Sequence, residues 1–216
     1  MSITVLTKAY NNLPFNKKEI LRYSDCKEIT PEIEKLLNEC IEEATQTLSY
    51  KVCYCILPVN ISGNTIDFGA FKVNSEKLTI NLKDCEKAVL FGATLGTEID
   101  RLIMKYGKLS PTKALFFQAI GAERIETLCD KFCDDIKKEL NVNLKPRFSP
   151  GYGDLDLSCQ KDIFKLLDCS KKIGLTLNDS LLMSPTKSVT AFVGIYYLGC
   201  VHYEFFRIFK KQHSLP

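Results

Sequence analysis

The sequence predicts an α+β fold: a mostly antiparallel, twisted sheet with flanking helices. Three observations point there. Short, nearly unbroken apolar runs, "AVLFGATLG" and "SVTAFVGIYYLGCV", have the length and β-branched content of buried strands. Long stretches with apolar residues at helical spacing lie between them. The two kinds do not alternate strictly as β-α-β, and no Gly-x-Gly-x-x-Gly follows a strand, which argues against a doubly wound parallel sheet. With 216 residues, the chain has enough material for one sizeable core.

Each element follows from local chemistry. "PFNKKEILRYSDC" reads as a short first helix. "TPEIEKLLNECIEEATQTL" reads as a second, with Thr30 as N-cap, Pro31 at the first helical position, and Glu32 and Glu34 near the positive end of the dipole. Ile33, Leu36, Leu37, Cys40, Ile41 and Ala44 recur along one face of it. "YKVCYCILPV" and "TIDFGAFKV" read as strands joined by the turn "NISGN". "SEKLTINLKDC" fits two states: Ser75 suits a helix cap, whereas Thr79-Ile80 suits a strand. A buried strand ends at Gly96, and "TEIDRLIMKYGK" then reads as a helix with Gly96 or Thr97 near its cap.

The longest helix is predicted from Pro111 to Leu140, capped by Ser110. Ala114, Phe117, Gln118, Gly121, Ile125 and Leu128 share one face of it, while Glu123, Glu126 and Asp130 supply carboxylates. Asp156–Asp168 reads as a helix. It is followed by a short strand, a turn at Pro185 and a long apolar strand. No repeat, low-complexity run or linker divides the chain. The expectation is one unit over residues 1–216, with 1–75 as a helix-and-strand extension and 76–216 as the core.

Composition narrows the function classes. Net charge is +3, from 29 basic and 26 acidic residues, which is too balanced for a nucleic-acid footprint; the basic tail "RIFKKQHS" reads as a solvated end. Mean hydropathy is −0.05, and no stretch approaches the roughly 18 apolar residues of a membrane span. The start lacks a basic segment followed by an apolar core, so a cytoplasmic location is expected. The ten cysteines include no Cys-x-x-Cys pair, and His202 and His213 are the only histidines, so no structural metal site is expected. Cys53 and Cys55 share one strand face, Cys129 and Cys133 one helix face; all read as small buried apolar residues in a reducing compartment.

The segment "KPRFSPGYGDLDLSCQKDIFKLLD", Lys145–Asp168, stands out. Pro150-Gly151 and Gly153-Asp154 are turn dipeptides around Tyr152, and glycine lets a backbone come close to a ligand. A tight loop whose tyrosine packs on the core would use the same residues.

In order, "RFSPGYGDL", then "LLD", then "IGLTLNDSLLMSPTKSVTAFVGI" resembles the activation domain of cobalamin-dependent methionine synthase. The signature Arg-x-x-x-Gly-Tyr is here Arg147, Gly151 and Tyr152. The following segment is carried by Asn178, Ser180, Met183, Pro185, Ser188, Val189 and Thr190. "AVLFGATLG" followed by "EIDRLI" is similar to small free-standing versions of that domain. The resemblance implies a protein that binds S-adenosylmethionine and presents it to the cobalamin of a separate methionine synthase. Inactive cob(II)alamin would be reductively methylated there, with an electron from a flavodoxin-like donor. Cobalamin would enter only through the partner, and the chain would supply no nucleophile of its own, working by proximity and orientation.

The resemblance also implies site residues. Arg147 would take the ligand carboxylate as a two-pronged donor. Tyr152 would lie against the sulfonium or the ribose. Phe148, Ser149 and Gly151 would offer backbone amides and carbonyls to the adenine. Glu126 would meet the amino group, with Asp130 and Glu123 as the next candidates; all three carboxylates suit a solvated helix face equally well. Asp154 would contact the ligand or cap the following helix. One departure is Val193, where the family uses an aromatic residue, with Tyr196 and Tyr197 close by. The alternative reading is a docking module for another corrinoid methyltransferase that does not itself use S-adenosylmethionine.

Overall fold

A computed structural model describes residues 3–197. The elements run β1 (Leu6–Tyr10), α1 (Lys17–Tyr23), α2 (Pro31–Thr47), β2 (Tyr50–Pro58), β3 (Asn60–Ser62), β4 (Thr65–Asp67), β5 (Lys72–Asn74), α3 (Glu76–Asn81), β6 (Lys87–Thr94) and α4 (Glu98–Leu109). They continue with α5 (Pro111–Leu140), β7 (Asn143–Leu144), a 3₁₀ turn (Leu157–Cys159), α6 (Gln160–Leu167), α7 (Cys169–Ile173), β8 (Thr176–Leu177), β9 (Met183–Ser184) and β10 (Ser188–Tyr196). The basic tail, both histidines and Cys200 lie outside the described residues.

The main sheet has the order β1-β2-β6-β10-β7, and every pairing is antiparallel. Its central strands β6 and β10 are buried on both faces, which explains why they read as unbroken apolar runs. Successive side chains go to opposite sides. Val89, Phe91, Ala93, Ala191 and Val193 join the core beneath α1, α2, α4 and α5. Leu90 and Phe192 join a second core with Cys53 and Cys55, beneath β3–β5, α3, α6 and α7. The sheet is therefore the middle of three layers, and β1 and β2 from the first 75 residues belong to the same sheet as β6 and β10.

Local chemistry explains the boundaries. Thr30 accepts from Ile33 N–H, as a cap should. "SEKLTINLKDC" is a helix, because Ser75 Oγ accepts the Leu78 N–H at 3.0 Å. The run expected as one strand, "TIDFGAFKV", breaks into β4 and β5. Asp67 Oδ1 accepts Gly69 N–H at 2.7 Å, and Gly69 sits at φ +79, turning the chain there. "NISGN" is β3 and the turn after it rather than a turn throughout. Ser110 holds the N-cap position of α5, but its side chain makes no capping hydrogen bond, so Pro111 marks that start. Gln118, placed by spacing on the apolar face, is exposed.

Glu123 is the largest departure. Rather than lying on a solvated helix face, it is 3% exposed and paired with the fully buried Arg124. Arg124 donates to both Glu123 carboxylate oxygens and to the backbone carbonyls of Leu13 and Pro14 at 2.8 and 2.6 Å. The Glu123 carboxylate also accepts from Thr127 Oγ and Asn16 N–H. This network ties the segment before α1 to the middle of α5.

Candidate ligand-binding site

The signature loop leaves the sheet beside β10. Phe148 N–H and C=O both pair with Phe192 at 2.9 Å, so residue 148 acts as a one-residue extension of the sheet edge. Neighbouring side chains then diverge. Phe148 enters the second core, while Arg147 turns toward α5.

The loop closes on itself through three backbone bonds: Tyr152 N–H to Ser149 C=O, Leu155 N–H to Tyr152 C=O and Gly151 N–H to Leu155 C=O, all 2.9–3.1 Å. Gly151 and Gly153 lie at φ +83 and +63, where a side chain would be strained, so both glycines are required by the turn. Tyr152 packs edge-on against Phe148 at 5.3 Å and is still 68% exposed, leaving its ring available at the loop tip. The expected role of backbone groups changes accordingly. The Phe148 amide and carbonyl and the Gly151 amide are engaged within the protein and do not face a ligand. Among the described residues nothing accepts from the Ser149 N–H.

Arg147 lies between two carboxylates of α5, one turn apart. Nη2 donates to Glu126 Oε2 at 2.6 Å, and Nη1 donates to Asp130 Oδ1. Burial works against its charge, but the Asp130 hydrogen bond and the two nearby carboxylates outweigh it and hold the guanidinium above its ordinary pKa. Beside it is an open groove of about 670 Å³, whose lining includes Asp130, Cys133, Lys137, Lys145, Pro146 and Arg147. Glu126 and Asp130 are thus both brought to Arg147, whereas Glu123 is drawn into the Arg124 network. Among the described residues no hydrogen bond or ring contact joins the Arg147 cluster to the Tyr152 tip.

Asp154 does not cap the helix that follows it, one of the two roles expected of it. Its carboxylate accepts Ser75 Oγ–H at 2.5 Å, Glu76 N–H at 2.7 Å and Lys77 N–H at 3.2 Å, capping α3 rather than the helix after it. Asp156 fills the latter role, accepting Ser158 N–H at 2.7 Å. At the other end of α3, Asn81 Nδ2 donates to Pro146 C=O at 3.2 Å. Sequence spacing gives no sign of these long-range contacts; the Ser75 capping pattern was the only local hint that α3 existed.

Val193 is 1% exposed and faces the α5 side of the core, so it lines no surface. Lys145, which lines the groove, sits over the Tyr196 ring, with Nζ 5.1 Å from its centroid. Among the described residues no three His, Cys, Asp or Glu side chains gather as a metal set, and no helix is long and apolar enough to cross a membrane.

Residues 134–212 match the family model described as "Vitamin B12 dependent methionine synthase, activation domain". The match contains both the Arg147 loop and β10. Over those residues the chain is similar to that activation domain. Thirteen chains of solved structures match it. One is the MetH reactivation domain bound to AdoHcy, with a TM-score of 0.65 and 16% identity, covering 91% of this chain and 80% of that one. At that identity the likeness shows the fold, and it extends the activation-domain architecture well beyond the matched third. No curated protein sequence matches the chain.

Proposed function

We propose that this chain binds S-adenosylmethionine and supports reductive methylation of cob(II)alamin in a separate cobalamin-dependent methionine synthase, with a flavodoxin-like protein as electron donor, in the cytoplasm. The observation that carries this reading is the Arg147-x-x-x-Gly151-Tyr152 signature, held as a closed loop on the activation-domain fold. The structural relative is bound to AdoHcy, which differs from S-adenosylmethionine by the transferable methyl group.

The geometry suits an α-amino-acid headgroup. Arg147 offers a planar fork, and Glu126 and Asp130 stand on either side of it. A zwitterion enters such a cluster by exchange: its carboxylate takes over guanidinium N–H groups, and its ammonium faces a carboxylate so released. The exposed Tyr152 ring offers an aromatic face to a sulfonium, and the unengaged Ser149 N–H a donor to the adenine. Cobalt, the nucleophile, belongs to the partner. This chain contributes placement of the methyl donor, which is where proximity and orientation act.

Calorimetric titration of the full chain with S-adenosylmethionine and S-adenosylhomocysteine tests the reading. Saturable binding is expected, weakened by about 10- to 100-fold in Arg147→Ala, as for loss of a charge-assisted hydrogen-bond pair. Absence of binding by the unaltered chain, with and without a cobalamin methionine synthase, would overturn it and favour a docking module that does not use the methyl donor.

A further inference from the structure

The loop between Pro146 and Asp154 is fastened at both ends to one short helix, α3. At its start, Pro146 C=O receives Asn81 Nδ2–H from the last residue of that helix. At its end, Asp154 accepts from Ser75 Oγ and from the amides of Glu76 and Lys77 at the first turn. The two clasps use opposite ends of the helix, so loop and helix run side by side. Close approach between them is visible at Gly153: a Cβ there would stand 2.6 Å from Lys77 Cδ. A side chain at 153 would have to displace the Lys77 side chain and would strain the backbone, which lies at φ +63.

Between the clasps sit Arg147 and Tyr152, the two side chains with the largest roles in the proposed function. Three internal backbone bonds and two left-handed glycines leave the intervening turn little freedom. Helix α3 is itself fixed to the second core through the fully buried Leu78. A continuous chain of contacts therefore runs from that core, through α3, to the loop tip.

We propose that Asp154 and Asn81 are positioning residues, which by tying the loop's two ends to α3 hold Arg147 and Tyr152 in their binding arrangement before any ligand arrives. The proposal rests on the ligand reading above for its functional half. Its structural half stands on the contacts alone. A preformed loop spares the ligand the cost of ordering it, which appears as affinity. Without the clasps, the same side chains would be present on a loop that must be ordered on binding.

The test uses the full chain and three variants, Asp154→Ala, Asp154→Asn and Asn81→Ala. Amide exchange, read by NMR without ligand, is expected to speed up at Glu76, Lys77, Tyr152 and Leu155 in Asp154→Ala, with amides of β6 unchanged. S-adenosylhomocysteine affinity is expected to fall about tenfold in Asp154→Ala, with a less favourable binding entropy, and less in Asp154→Asn, which keeps an acceptor oxygen. A purely structural cap would alter exchange in α3 without that entropic loss. If Asp154→Ala fails to fold, the Asp154→Asn and Asn81→Ala pair carries the comparison. Unchanged loop exchange, or faster loop exchange with unchanged affinity, overturns the proposal. If the unaltered chain binds no S-adenosylhomocysteine, the ligand reading fails, and the loop exchange alone decides whether α3 holds the loop.

Discussion

At Arg147, identity and environment point the same way. A guanidinium between two carboxylates one helical turn apart uses its fork geometry, which a lysine ammonium lacks. Arg147→Lys is therefore expected to weaken S-adenosylhomocysteine binding nearly as much as Arg147→Ala, a comparison that calorimetry makes directly. Asp154 gives a pH prediction. The Ser75 hydroxyl, followed by the Glu76 and Lys77 amides, holds its carboxyl below the usual Asp range, against a smaller opposing effect of burial. A depressed folded pKa means the cap contributes fully above the unfolded value, about 3.9, and is lost as pH falls through the lower folded value. Carboxyl-carbon NMR shifts should show Asp154 titrating below that figure, and Ser75→Ala should move it back up. Arg147, Gly151 and Tyr152 were legible in the sequence because residue type and spacing within one loop carry the signal. The partners of Asp154 were not, because each lies more than 75 residues away along the chain; nor was the burial of Glu123, because its neighbour Arg124 is held inside by the backbone carbonyls of Leu13 and Pro14, which carry no side-chain signature.

Among the elements, the caps make a graded test. Ser75→Ala removes a hydroxyl that accepts from Leu78 N–H and donates to Asp154, and is expected to cost about 1 kcal/mol or more in urea denaturation. Ser110→Ala removes a side chain that caps nothing, and should change stability by less than about 0.5 kcal/mol. Gly121 in α5 gives a second contrast. A glycine-to-alanine change in a helix interior ordinarily gains up to about 1 kcal/mol. Here a new Cβ would lie 2.9 Å from Lys187 Cγ and Cε, so Gly121→Ala is expected to destabilise, and the added change Lys187→Ala to relieve the loss, a coupling that a double-mutant cycle reads out. Helices with strong periodicity and a Pro at the first position were legible at this scale. Of the β8–β9 hairpin only one short strand before Pro185 was expected, and the β4–β5 break was not, since such pieces are too short for a period to register.

For the molecule as a whole, the sheet with a core on either face was foreseeable from unbroken apolar runs, and antiparallel pairing from the lack of β-α-β order. What was not foreseeable is how the segment before α1 is tied to the middle of α5. Arg124, fully buried, carries the Leu13 and Pro14 carbonyls and the Phe15 ring, whose centroid is 4.1 Å from the guanidinium carbon. Glu123→Ala would leave that charge buried without its partner and is expected to cost about 3–5 kcal/mol, seen as a lowered denaturation midpoint. Reactivity should follow packing as well. Of the nine described cysteines only Cys26 is not buried, so native alkylation should label it first among them, as peptide mapping would show.

The pairing of α3 with the signature loop bears on transplantation. The letters from Arg147 to Leu155 can be copied into another scaffold, but their shape would not travel with them, because the hydroxyl, amides and carboxamide that set it are borrowed from Ser75–Asn81. Anyone seeking to confer this loop on a different protein would have to move two distant pieces of this chain together, at their mutual spacing.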